Sequence, residues 1–200
     1  MLTTYNATMT RSTRVLWLLE ELGADYTMIP VTIARPDGTG APDPRNPHPL
    51  KQVPVIEHDG AVIVESVVVW IHLADSYPQA GLAPPLGDPQ RAAYMSWLGL
   101  ANAVLEPILA TSVLAGAAFT DRQLAAREDL AARMRDALAR GPWLLGERFT
   151  TADLAFSILA FYNDALPDPA SRADWIARLR ARPAARRAML RDAERPAPAS

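Results

Sequence analysis

The sequence predicts a mixed α/β half over residues 1–80 followed by an all-α helical half, and three observations lead there. Short strand-like and helix-like segments alternate up to about residue 77, a Pro- and Gly-rich stretch interrupts the chain at 78 to 89, and strand signals vanish beyond it. Alternation followed by helix alone is the pattern of two layered units, not of one continuous architecture.

Residues 2 to 6 (LTTYN) read as a strand, RSTRVLWLLEELG as a helix that stops at Gly23, and YTMIPVTI as a second strand. After a Pro-, Gly- and Asp-rich loop at 35 to 49, VPVIE and AVIVE flank His58, Asp59 and Gly60, which suits an antiparallel hairpin. A helix follows at ESVVVWIHLADSYP. The order βαβ then ββα is compatible with a four-stranded mixed sheet covered by helices, the thioredoxin-like arrangement, although other α/β layouts share it.

PQAGLAPPLGDP reads as an interdomain linker, with the helical domain running from residue 90 to 200 after a linker at 81–89. Helical patterns cover 90 to 118, 121 to 140, 150 to 166 and 171 to 193, with Pro107 expected to kink the first and the tail RPAPAS expected to be disordered.

Composition narrows the chemistry. The formal net charge of −2 carries no electrostatic signature of a nucleic-acid or membrane partner. The absence of cysteine excludes disulfides, thiolate metal sites and a protein thiol nucleophile, so any sulfur chemistry requires sulfur from the ligand. His48, His58 and His72 lack metal-ligand spacing, and no metal is expected. With no signal-peptide pattern at the start and no apolar run near the roughly 18 residues of a membrane span, the expectation is a soluble cytoplasmic protein.

Three short segments are candidates for a binding site. In HPLKQVPVI, Pro54 follows Val53 inside a strand-like run; Pro cannot donate to a ladder, so the site is an edge whose main chain at Val53 is open to an extended peptide, or simply an ordinary edge proline. Glu65-Ser66 stands where a strand gives way to a helix, whose N-terminal N–H groups and the Ser66 hydroxyl suit a carboxylate while Glu65 suits an ammonium; the alternative is that Ser66 merely caps its helix. The turn NATMTRSTR offers hydroxyls that would favour a bound thiolate. There Ser12 is expected to cap the helix, leaving Thr10 free to point outward. FTTADLAFS, with Thr150 three residues before Asp153, reads as a structural capping box.

Together, RSTRVLWLLEELG, HPLKQVPVI, Glu65-Ser66 and FTTADLAF resemble the cytosolic glutathione S-transferase superfamily, most closely its bacterial and fungal members, along nearly the whole chain. The resemblance implies a thioredoxin-like glutathione-binding domain at 1–80 and an all-helical domain forming the second-substrate pocket. It implies that Val53 pairs its main chain with the cysteinyl part of glutathione beside a cis Pro54, and that Glu65 and Ser66 hold the γ-glutamyl end. Family members often carry Gly-Lys before the Val-Pro; here Lys51-Gln52 stands there, so Gln52 replaces the basic contact to the glycyl carboxylate or Lys51 supplies it. The position of the catalytic hydroxyl aligns with Thr10, or with Ser12 after a shift of two residues.

The implied activity is glutathione transfer to a small hydrophobic or electrophilic second substrate, or glutathione-dependent reduction of a peroxide or disulfide. A non-catalytic glutathione-binding or regulatory protein of the same fold is the alternative, and a homodimer is the implied assembly.

Overall fold

The structure, a computed structural model, describes residues 1–111 and 116–194. The expected disorder of the tail RPAPAS and the stretch 112–115 of the first helical pattern lie outside the described residues. Two compact units form: Met1–Ala80 together with the chain from Pro183 onward, and Gly81–Arg182.

The first unit is built on a four-stranded sheet in the order β2-β1-β3-β4, with β1 at Leu2–Asn6, β2 at Thr27–Pro30, β3 at Val55–His58 and β4 at Ala61–Val64. Strand β1 pairs parallel to β2 and antiparallel to β3, which pairs antiparallel to β4. This mixed sheet with helices is thioredoxin-like. Every residue of β1 is buried, as expected for a central strand covered on both faces. The hairpin between β3 and β4 turns on two residues, not three: His58 stays in the strand, and Asp59 and Gly60 both take positive φ, 49° and 86°, as a type I′ turn requires.

Helix α1 (Arg11–Leu22) buries Val15, Leu16, Leu18, Leu19 and Leu22. Each such side chain contributes about 1.5–3 kcal/mol relative to exposure. Gly23 ends the helix at φ 61°, where the following N–H of Ala24 reaches Leu19 O at 3.1 Å. Helix α2 (Ser66–Ser76) buries Val69, Trp70, Leu73 and Ala74, and the Arg14 guanidinium of α1 lies over the Trp70 ring at 5.2 Å.

The second unit is helical, as α3 (Arg91–Leu100), α4 (Glu106–Leu109), α5 (Asp121–Leu138), α6 (Thr151–Phe156) and α7 (Ala173–Ala181). A π-helical turn at Ala101–Leu105 joins α3 to α4. Pro107 lacks an N–H and its ring crowds the preceding turn, so the helix widens there, where a kink was expected. Thr150 and Asp153 form the predicted capping box. The buried Asp153 carboxylate also accepts from Leu144 N at 2.9 Å and Trp175 Nε1 at 3.0 Å, tying three segments of this unit together. Burial raises its pKa, against the pull of these hydrogen bonds.

The last helical pattern, expected as one run from 171 to 193 within the helical half, divides at Pro183. Helix α8 (Pro183–Asp192) belongs to the first unit, packed on α1, with Arg187 Nε 2.6 Å from Glu20 Oε2. Pro183 at its first position cannot continue α7 but suits a helix start, which lets the chain change units there. Among the described residues no helix is long and apolar enough to cross a membrane, and no cluster of three or more His, Asp or Glu is arranged to hold a metal ion.

Candidate functional site

The strand register assembles the site. Tyr5 of β1 stands opposite Val55 of β3, which stands opposite Val64 of β4. Because these strands run antiparallel, the chain leaving β1, the chain entering β3 and the chain leaving β4 emerge at one end of the sheet. Those three stretches are Ala7–Ser12, Lys51–Pro54 and Glu65–Ser66. All three candidate segments therefore meet at the same place, across two strand spacings of about 4.8 Å each.

Each stretch also contains a non-glycine residue at positive φ: Met9 at 57°, Lys51 at 53° and Glu65 at 70°. Such conformations cost of order 1–3 kcal/mol and persist where surroundings over-determine them. Of the five non-glycine residues with this geometry among those described, three border this end of the sheet.

The Val53–Pro54 peptide bond is cis, with Pro54 buried and Val53 half-buried. Val53 lies outside β3, and its main-chain groups make no backbone hydrogen bond among the described residues. The loop before it is held from within: the fully buried Asn46 accepts from His48 N at 2.9 Å and donates to Gln52 O at 3.0 Å. Lys51 Nζ donates to Asn46 O at 2.6 Å, so its ammonium folds back on its own loop, while the Gln52 side chain is exposed. The same loop begins with Asp43, whose carboxyl the Arg45 guanidinium holds down to about 2.

Glu65 is the N-cap residue of α2 but makes no side-chain capping bond, and it is exposed. Ser66, the first helical residue, is buried at 7% exposure. A carboxylate that does not cap its own helix, next to that helix's N–H groups, leaves an acceptor and a set of donors side by side.

The hydroxyl turn corrects the expectation for Thr10 and Ser12. Thr10, at φ −128° and ψ −171°, is the N-cap of α1, and its Oγ1 accepts from Ser12 N at 3.2 Å. Ser12 instead sits in the first helical turn, fully buried, with its hydroxyl turned back toward β1. Ser12 Oγ donates to Asn6 Oδ1 at 2.7 Å and accepts from Ala7 N at 3.1 Å. The cap falls to Thr10 because only the extended residue preceding the helix aims its oxygen at the first free N–H groups. Thr10 Oγ1 donates to Ala7 O at 2.7 Å and lies 2.8 Å from Ser12 Oγ. Tyr5, another polar group near this strand end, is buried in a cluster with Val31 and Val55, and burial raises its pKa.

Sequence reasoning missed Asn6, Asn46 and Asp192 as organisers of these loops. Their roles depend on partners distant in sequence or on a loop geometry that has no motif. Arg35 was also missed; its Nη2 donates to Thr8 O at 2.8 Å, linking the connection after β2 to the turn before α1.

The family profile described as "Glutathione S-transferase, N-terminal domain" matches residues 8–76, a stretch that includes Thr10, Ser12, Lys51–Pro54 and Glu65–Ser66. Glutathione S-transferase 3 of Schizosaccharomyces pombe is 28% identical over 109 residues, 54% of this chain, and the match spans only 44% of that relative's length. Glutathione S-transferase GstA of Escherichia coli O157:H7 is 27% identical over 139 residues, covering 68% of this chain and 69% of the relative. A solved glutathione S-transferase of Actinobacillus pleuropneumoniae superposes with a TM-score of 0.81 at 22% identity, over 98% of this chain and 94% of that one.

Proposed function

As the chain belongs to the cytosolic glutathione S-transferase superfamily, we propose that it binds glutathione across the end of the sheet and activates the thiol. The activated thiol is used for conjugation to a small electrophile, or for reduction of a peroxide or disulfide. The observation that carries this reading is the register Tyr5–Val55–Val64, which lines up the three loops over two strand spacings. Three extended residues span about 10 Å, close to the same distance. The site therefore has the reach of a tripeptide.

β3 is an interior strand, not the edge expected from the sequence, so it is the loop just before it that leaves the Val53 main chain open to pairing with the cysteinyl residue, and Pro54 in cis shapes that loop. At one end Glu65 accepts the ligand's ammonium while Ser66 and the start of α2 hold its carboxylate. Gln52 and Lys51, in the same loop as Val53, flank the glycyl end. The remaining task is the thiol, whose ordinary pKa of about 8.5 leaves a few per cent thiolate at neutral pH. Thr10, half-buried at the N-terminus of α1, is the proposed donor: its one hydrogen turns from Ala7 O to the sulfur, with Ser12 as the supporting hydroxyl behind it.

Calorimetric titration with glutathione tests the binding. Glu65→Ala and Ser66→Ala each weaken it by roughly 1–3 kcal/mol, the range for hydrogen bonds to charged groups. Unchanged affinity in both removes the assignment of the γ-glutamyl end. A panel of electrophiles and peroxides, assayed with and without glutathione, then identifies the reaction.

A second reading has its own support: both candidate hydroxyls already donate inside the protein, and Ser12 is fully buried. A glutathione-binding protein without turnover would look the same, and tight binding with no activity across the panel would favour it. The proposed assembly is a homodimer, which sedimentation at micromolar concentration checks.

A further inference from the structure

The carboxylate of Asp192 lies at the very end of α8, at the negative end of a helix dipole, where local electrostatics disfavour it. It is also almost wholly buried, at 1% exposure. A buried carboxylate in an unfavourable local position is held there by its partners, and those among the described residues lie on one stretch, from the end of β1 to the first turn of α1. Oδ1 accepts from Asn6 Nδ2 at 3.1 Å and from Thr13 Oγ1 at 2.8 Å, and Oδ2 accepts from Met9 N at 2.9 Å. The Asp192 carbonyl oxygen accepts from Thr8 Oγ1 at 2.9 Å. Four residues between 6 and 13 are thus fastened to one residue about 180 positions later.

We propose that Asp192 is the positioning residue for the thiol-facing turn, a proposal that rests on the glutathione reading above. Two chains of contact carry it. Asn6 has one amide, so binding its Nδ2 to Asp192 turns its Oδ1 toward Ser12, whose hydroxyl donates there and whose oxygen lies beside Thr10. Met9, immediately before Thr10, is held at φ 57° with its N–H on Asp192 Oδ2. Freed from that bond, Met9 relaxes toward an ordinary φ and swings Thr10 away from its capping position.

The test is Asp192→Asn, compared with the unmodified protein in two measurements. Amide hydrogen exchange reads the turn directly: Met9 loses protection in the variant, by about tenfold or more. Titration of the thiolate absorbance of bound glutathione reads the consequence: the thiol pKa rises by about one unit. The sign discriminates, because a carboxylate acting only by its charge would do the opposite, and neutralising it would lower the thiol pKa. A fall, or no change, in a folded variant overturns the proposal even if exchange at Met9 increases. If Asp192→Asn does not fold, Thr13→Val decides, since it removes one donor and leaves the carboxylate; the same two effects are expected at smaller size, and their absence overturns the proposal. Failure of the unmodified protein to bind glutathione overturns the functional reading instead, and exchange at Met9 then decides alone whether Asp192 holds the turn.

Discussion

The hydroxyl oxygens of Thr10 and Ser12 lie 2.8 Å apart, and each has a single hydrogen to donate. Ser12 gives its hydrogen to Asn6 Oδ1 and Thr10 gives its hydrogen to Ala7 O, the shortest contacts each makes. Only Thr10 is exposed enough to redirect that hydrogen to a ligand.

Ser12 and Thr10 are therefore expected to separate by assay. Ser12→Ala leaves Asn6 Oδ1 and Ala7 N without their buried partner and lowers stability by about 1–3 kcal/mol in denaturant melts. Thr10→Ala loses the cap and the bond to Ala7 O, which Ser12 Oγ also reaches at 3.2 Å, so it costs only about 1 kcal/mol, but it is expected to raise the pKa of bound thiol, and Thr10→Ser to restore it. An effect on the thiol confined to Ser12→Ala would transfer the role.

Glu65 combines a backbone at φ 70° with a side chain that makes no capping bond. Replacing it with Gly relieves the backbone and removes the proposed acceptor for the ligand's ammonium. Glu65→Gly is expected to gain roughly 1 kcal/mol of stability while losing glutathione affinity. Thermal melts alongside calorimetry check this, and a loss of both properties would count against the assignment.

Asn46 braces the loop that leads into Val53. Asn46→Ala removes the bonds to His48 N and Gln52 O in a fully buried place, so stability falls by about 1–3 kcal/mol. The loop carrying Lys51 and Gln52 then loosens, and glutathione binding weakens as well. Retained affinity in a destabilised variant would show that Val53 is held by the sheet alone.

Asp43 gives the acid limb of the stability profile. Its folded pKa of about 2 lies below the ordinary 3.8, so the folded state binds fewer protons than the unfolded state in that interval. Its contribution is present above about pH 4 and is lost as the pH falls toward 2. Denaturant melts from pH 6 down to pH 2 should steepen in that interval for the natural protein and flatten for Asp43→Asn.

Helix α1, the strand at Leu2–Asn6, the hairpin and the Thr150–Asp153 box were all legible in the sequence, because each depends on local rules: apolar period, a stop at Gly23, turn residues within His58–Gly60, a hydroxyl three residues before an acid. The candidate segments were picked out by local signals too, a proline beside a strand-like run and a Glu-Ser pair at a helix start, although Pro54 proved to precede β3 and not to lie within it. Tertiary structure decided the rest. Which of two neighbouring hydroxyls caps α1 depended on Asn6 and Ala7 claiming the other, and that Asp192 organises the turn depended on α8 leaving the helical unit at Pro183 to pack on α1. Periodicity reports which face of an element is apolar, but it carries no information on which distant polar group that element will meet.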